Sequence, residues 1–175
     1  RLTSLAQTLL KLTTPGIPDI YQGCELWDHN LVDPDNRRPV DFDLRRRLLT
    51  RVQSITAEEA MNDMDSGLPK MFLIQRALQF RNRNPQLFDA PYSPLETEGP
   101  KAAHAVAFSR GDDMVVITPR LVMGLADDWG DTGIELPDGA WRNVLTNESF
   151  SGGTVLMSDV LKQFPVALLA KGDFT

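Results

Sequence analysis

The hydrophobic period changes once along this chain, and that change limits the folds open to it. Through residue 91 apolar residues recur at helical spacing, whereas from Ala102 onward they alternate or run in short β-branched groups between turn signals. A helical half followed by a strand-rich half predicts an α+β chain. Its 175 residues are enough for one domain with a real core or for two small ones. Apolar residues at 42% and charged residues at 24% are globular values, so wholesale disorder is not expected.

In the helical half, Leu2, Leu5, Ala6, Leu9, Leu10 and Leu12 fall on one side of a first helix, with Thr3, Gln7 and Lys11 on the other. Pro15-Gly16 ends it, and Ile17 to Gln22 has the length and apolar content of a short buried strand. Helix, short loop and strand in that order form the tail of a βα repeat. Phe42, Leu44, Leu48, Leu49, Val52 and Ile55 mark a second helix, whose Arg45, Arg46, Arg47 and Arg51 lie mostly on the solvated side. Such a basic cluster could contact phosphate, but a solvated helix face is the commoner explanation. Thr56 with Glu59 three residues later has the form of a capping box. Pro69 suits the first turn of a third long helix, which turns Met71, Leu73, Ile74, Ala77, Leu78 and Phe80 inward and stops near Asn84-Pro85.

Tyr92 to Lys101, rich in Pro, Glu and Gly, reads as a linker. Beyond it, His104–Ser109, Met114–Thr118, Gly133–Leu136, Ala140–Leu145, Thr154–Leu156 and Val166–Ala170 read as strands. Pro137-Asp138-Gly139 and Ser151-Gly152-Gly153 read as hairpin turns between them. Short antiparallel strands without intervening helices predict a small β-sandwich.

The segment between the first two helices carries the densest chemistry. Gly23 permits a sharp turn after the expected strand, and a polar loop at a strand's C-terminal end lies at the ligand face of an α/β architecture. The turn formers Asp33-Pro34 and Asp35-Asn36 place Arg37 and Arg38 near Asp33, Asp35 and Asp41, where guanidinium forks can pair with carboxylates. A salt-bridged loop that only covers the end of a sheet explains these residue types equally well.

The run PGIPDIYQGCELWD, followed by LVDPDNRRPVDF, resembles the last barrel strand and following loop of the alpha-amylase superfamily. Within it, the extension Asp33 to Asp41 is similar to the maltooligosyltrehalose synthase family. Trp141 to Thr146 and Phe164 to Leu169 resemble the C-terminal part of the same family. Cys24 stands where that pattern has a small polar residue, and His29-Asn30 is also atypical of it; the charged part of the motif is untouched. The resemblance implies a fold in which residues 1–91 are the C-terminal end of a β/α barrel and residues 102–175 are a β-sandwich domain. It implies an intramolecular glucosylmutase that converts the reducing-end α-1,4 bond of a maltooligosaccharide into an α,α-1,1 bond. Tyr21, Glu25, Trp27, Asp33, Asp35, Asn36, Arg37 and Arg38 are then the expected substrate-binding residues. The catalytic carboxylates of the family precede the position that matches Arg1, so no catalytic residue is expected in this chain. By itself it is expected to be inactive and to pack against a barrel portion N-terminal to it. The alternative is a non-catalytic glucan-binding or structural module.

The remaining features bound the partners. A net charge of -6 argues against a nucleic-acid or anionic-membrane surface, while a neutral sugar fits. Cys24 is the single cysteine, which rules out an internal disulfide and favours a reducing, cytoplasmic setting. It reads as a small apolar filler rather than a nucleophile. No run is apolar and long enough to span a membrane, no signal peptide is seen, and a start at Arg1 inside a helical pattern points to a piece of a longer protein. No phosphate loop, metal motif or nucleophile elbow occurs, so neither metal nor cofactor is expected. His29 and His104 are too far apart in sequence to suggest a metal site by spacing, and Trp129 and Trp141 are either core residues or a sugar-stacking platform.

Overall fold

A computed structural model describes residues 1–29, 32, 37–126 and 128–172. The helices follow the apolar spacing. Helix α1 (Leu2–Thr13) buries Leu5, Leu9 and Leu12, and its buried hydroxyls on Thr8 and Thr13 donate back to the carbonyls of Ser4 and Leu9 at 2.7 Å. Helix α2 (Phe42–Val52) starts on Asp41, whose carboxylate accepts from the Leu44 amide at 2.8 Å. Helix α3 (Ala57–Met61) carries the expected capping box between Thr56 and Glu59. Helix α4 (Leu68–Arg83) has Pro69 in its first turn, and the short helix α5 (Pro85–Asp89) follows the stop at Asn84.

Helix α4 is the centre of the helical half. It touches α1, α2 and α3, and its run of buried residues from Leu68 to Ile74 covers the whole circumference of its first two turns. A helix with so little polar face is stable only when surrounded.

Among the described residues seven strands form one antiparallel sheet: β1 (Tyr92–Leu95), β2 (Thr97–Glu98), β3 (Ala105–Arg110), β4 (Met114–Pro119), β5 (Gly133–Asn143), β6 (Ser149–Leu156) and β7 (Ala167–Lys171). Two four-residue helices, α6 (Val122–Leu125) and α7 (Met157–Val160), lie between strands. The strand order is β1-β3-β4-β7-β5-β2, with β6 on the other flank of β5. β4 is buried along its whole length because both faces are covered. Its Met114 and Val116 join Phe108, Leu168 and the helices in one core, while Val115 and Ile117 join Ala107, Leu169, Ile134 and Trp141 in a second. The helices and the sheet therefore share a continuous apolar layer.

Three expectations are corrected by this arrangement. The strands form a single curled sheet instead of two separate sandwich layers, because β5 is long enough to serve both ends. Its first residues pair with β2 and β6, and its last residues, Trp141 to Asn143, pair with β7. Pro137-Asp138-Gly139 is not a hairpin turn; it is a bulge inside β5 that lets the strand bend. Ser151-Gly152-Gly153 likewise lies inside β6, where a Cβ on Gly152 would come 2.6 Å from Asp138 Cα. Both sets of turn residues are explained by this one close approach.

The segment expected as a linker carries β1 and β2. Pro94 is tolerated there because β1 is an edge strand that pairs only with β3. Conversely, Ile17 to Gln22 forms no strand. Ile17 is 96% exposed and Tyr21 55% exposed, since no strand among the described residues lies beside this segment to pair with it. An apolar run without a neighbouring ladder has nothing to hold it extended.

Candidate functional site

The loop between α1 and α2 is shaped by side chains from outside it. Gly23, at φ +91°, turns the chain, and a Cβ there would touch Val40 at 3.0 Å, so the beginning and end of the loop meet at this point. Arg45, on α2, secures that closure. Its Nε donates to Glu25 Oε2 at 3.0 Å, its Nη1 to the Asp41 carbonyl at 3.1 Å, and its Nη2 to the Gly23 carbonyl. A guanidinium suits such a three-way junction because its donors are fixed in one plane.

A second set of contacts holds the next residues. Leu26 is buried, and its carbonyl accepts from Lys70 Nζ at 3.0 Å. The Trp27 indole donates to the Met64 carbonyl at 2.6 Å. Gly67, with φ +81°, fits directly beneath them, where a Cβ would lie 2.9 Å from the Trp27 amide nitrogen. Lys70 is itself 8% exposed, and loss of hydration holds its amine below the ordinary lysine value. Nearby Cys24, Asp28 and Glu25 oppose that shift, and Lys11 reinforces it.

The sequence-predicted residues divide accordingly. Glu25 and Trp27 are half-buried and held by named partners, while Tyr21, Arg37 and Arg38 face solvent. Asp33, Asp35 and Asn36 lie outside the described residues. Arg45 and Lys70 were not legible as loop residues. Arg45 follows Asp41 by one helical turn, but that spacing reads as helix surface. Lys70 had the better signal, a lone cation inside Leu68-Pro69-Lys70-Met71-Phe72, because a charge in an apolar run must find a buried partner.

The other candidates are structural. Trp141 and Trp129 are 1% and 9% exposed, and the Trp141 indole donates to the Pro137 carbonyl at 2.7 Å, so neither offers an open stacking face. His104 Nδ1 lies 3.1 Å from the Leu121 carbonyl. No cluster of metal-ligating side chains occurs among the described residues. No helix among them is long and apolar enough to cross a membrane.

A Mycobacterium tuberculosis protein named, by inference, maltooligosyl trehalose synthase is 42% identical to this chain over 170 residues. That match takes in 96% of this chain. The chain resembles the C-terminal part of maltooligosyltrehalose synthases. It spans 20% of the length of that mycobacterial relative. Among solved structures, the synthase of Arthrobacter ramosus superposes with a TM-score of 0.85 at 38% identity, covering 96% of this chain and 22% of the synthase chain. A glycosyltrehalose synthase, DSM5389, superposes at 0.73 with 27% identity, covering 98% of this chain and 20% of its own. No established family profile matches the chain.

Proposed function

We propose that this chain is the sugar-loop end of an intramolecular glucosylmutase acting on maltooligosaccharides in the cytoplasm, as part of trehalose formation. The observation that carries the reading is the 42% identity that runs through 96% of the chain, loop included. In this reading residues 1–91 complete a β/α barrel, with Ile17 to Gln22 as its last strand, and residues 102–175 are the β domain that follows. The strand pairs only when the preceding part of the longer polypeptide lies beside it.

The chemistry divides between the two parts. A retaining mechanism needs a carboxylate nucleophile and a carboxylic acid, and the resemblance puts both N-terminal to this chain. The loop supplies what the second half of the reaction requires. The released glucose is held, turned and presented to the glycosyl-enzyme before water reaches it. Tyr21 and Trp27 offer flat faces to the sugar, and Glu25, Asp33, Asp35, Asn36, Arg37 and Arg38 offer donors and acceptors to its hydroxyls. No metal or cofactor is required by these steps.

Incubating the full-length polypeptide with maltopentaose tests the reading. Loss of reducing ends without matching release of glucose is expected, and the 175-residue chain alone should produce none. Simple hydrolysis by the full-length protein, or turnover by the short chain, would overturn it. The buried faces of Trp129 and Trp141 leave the glucan-binding module with less support.

A further inference from the structure

We propose that Arg45 and Lys70 are positioning residues that set Glu25 and Trp27 in their sugar-facing geometry; this rests on the function proposed above. Among the described residues between Thr14 and Val40 there is neither a strand nor an α-helix, so no backbone ladder fixes this loop. Its shape comes instead from cations on two helices that flank it. Arg45 ties the loop's start at the Gly23 carbonyl to its end at the Asp41 carbonyl, and in the same plane it holds one oxygen of Glu25 at 3.0 Å. A carboxylate carries lone pairs on both oxygens, so Glu25 can accept from a sugar hydroxyl while Arg45 holds one of them. Lys70 acts one residue further on. It holds the Leu26 carbonyl at 3.0 Å, and Leu26 is the buried pivot between Glu25 and Trp27.

The two cations are suited to a neutral ligand. The charge of Arg45 is matched by Glu25 and that of Lys70 is spread over a carbonyl and nearby acidic groups, so both orient the loop without offering a site for an anion. Arg45 therefore acts through Glu25 and through the two loop carbonyls together, and replacing it by lysine keeps the charge but loses the planar fork.

The test uses the full-length polypeptide with maltopentaose. Arg45→Lys and Lys70→Met are each expected to raise KM roughly tenfold, the scale of one lost charge-assisted hydrogen bond, with kcat changed by less than about threefold. The share of substrate lost to free glucose should rise, because a misplaced acceptor lets water in. The double variant Glu25→Gln/Arg45→Lys should raise KM by less than the product of the two single effects, since one of the arginine's three contacts runs through the carboxylate. Additive effects, or activity lost only in proportion to folded protein with an unchanged product ratio, would overturn the proposal. Amide hydrogen exchange separates this result from the fate of the function itself. Exchange at Gly23 to Trp27 should quicken roughly tenfold in both variants while α1 and β4 keep their protection. Unchanged exchange in that segment sinks the positioning role even if the mutase is active, and quickened exchange upholds the clamp even if the substrate is different.

Discussion

Arg110 Nη1, on β3, donates to the carbonyl of Thr13, the last residue of α1, at 2.9 Å. The same guanidinium donates to the Ala90 carbonyl at 2.9 Å and to the Phe88 carbonyl, so a buried cation seals two helix ends against the sheet. Burial, and then the neighbouring Arg81, hold its pKa below the usual arginine value, but a guanidinium stays charged throughout the physiological range. Arg81 completes the seal by donating to the Leu12 carbonyl at 2.8 Å while its guanidinium lies 4.6 Å from the centre of the Phe88 ring.

Arg110→Met is therefore expected to destabilise the chain by about 3 kcal/mol, because three carbonyls lose their donor and two of those contacts are buried. Urea unfolding measures it. A cost under about 1 kcal/mol would mean that water replaces the arginine at no great penalty.

Gly67→Ala should be more damaging than Gly153→Ala. Both have positive φ, but a Cβ at Gly67 would meet the Trp27 amide nitrogen at 2.9 Å, whereas one at Gly153 meets nothing within 4 Å. Backbone strain alone costs about 1 kcal/mol, and the added collision must displace the loop. Comparing the two unfolding midpoints checks the order.

Thr56→Ala removes the first cap of α3 and should cost about 1 kcal/mol near neutral pH. The Thr56 backbone, and then its hydroxyl, hold Glu59 below the usual carboxylate pKa. A lowered acid stabilises the fold above its unfolded pKa and loses that contribution as pH falls through the folded value. The gap between wild type and Thr56→Ala should shrink when unfolding is repeated near pH 3.

Lys70 gives a slope of the same sign in a higher pH window. Desolvation lowers its folded pKa beneath the ordinary lysine value, so the unfolded chain binds more protons in the window just below that value. Wild type should gain stability relative to Lys70→Met as pH rises through this window. A difference that stays constant between pH 7 and pH 10 would show that the amine remains well hydrated.

The helices were legible because each carries its own signal. The leucine stripe of α1, the Thr56 to Glu59 box and Pro69 at the start of α4 are local patterns with local physical causes. The cores of β3, β4 and β7 were legible for the same reason, as short apolar runs between turns. The glycines of β6 and the Pro137 to Gly139 bulge misled because a tight turn and a close backbone crossing demand the same small residues.

The amino-acid sequence by itself determined the change from helix to sheet, the helix ends and the position of the polar loop. All of these depend on residues close together in the chain. Tertiary structure alone decided that Ile17 to Gln22 finds no strand partner among the described residues, that β5 joins both ends of the sheet, and that Arg45 reaches Glu25 across 20 residues and Lys70 reaches Leu26 across 44. A strand exists only with a neighbour to bond, and a cation's role depends on which carbonyl the fold brings within reach; neither partner is specified by local spacing.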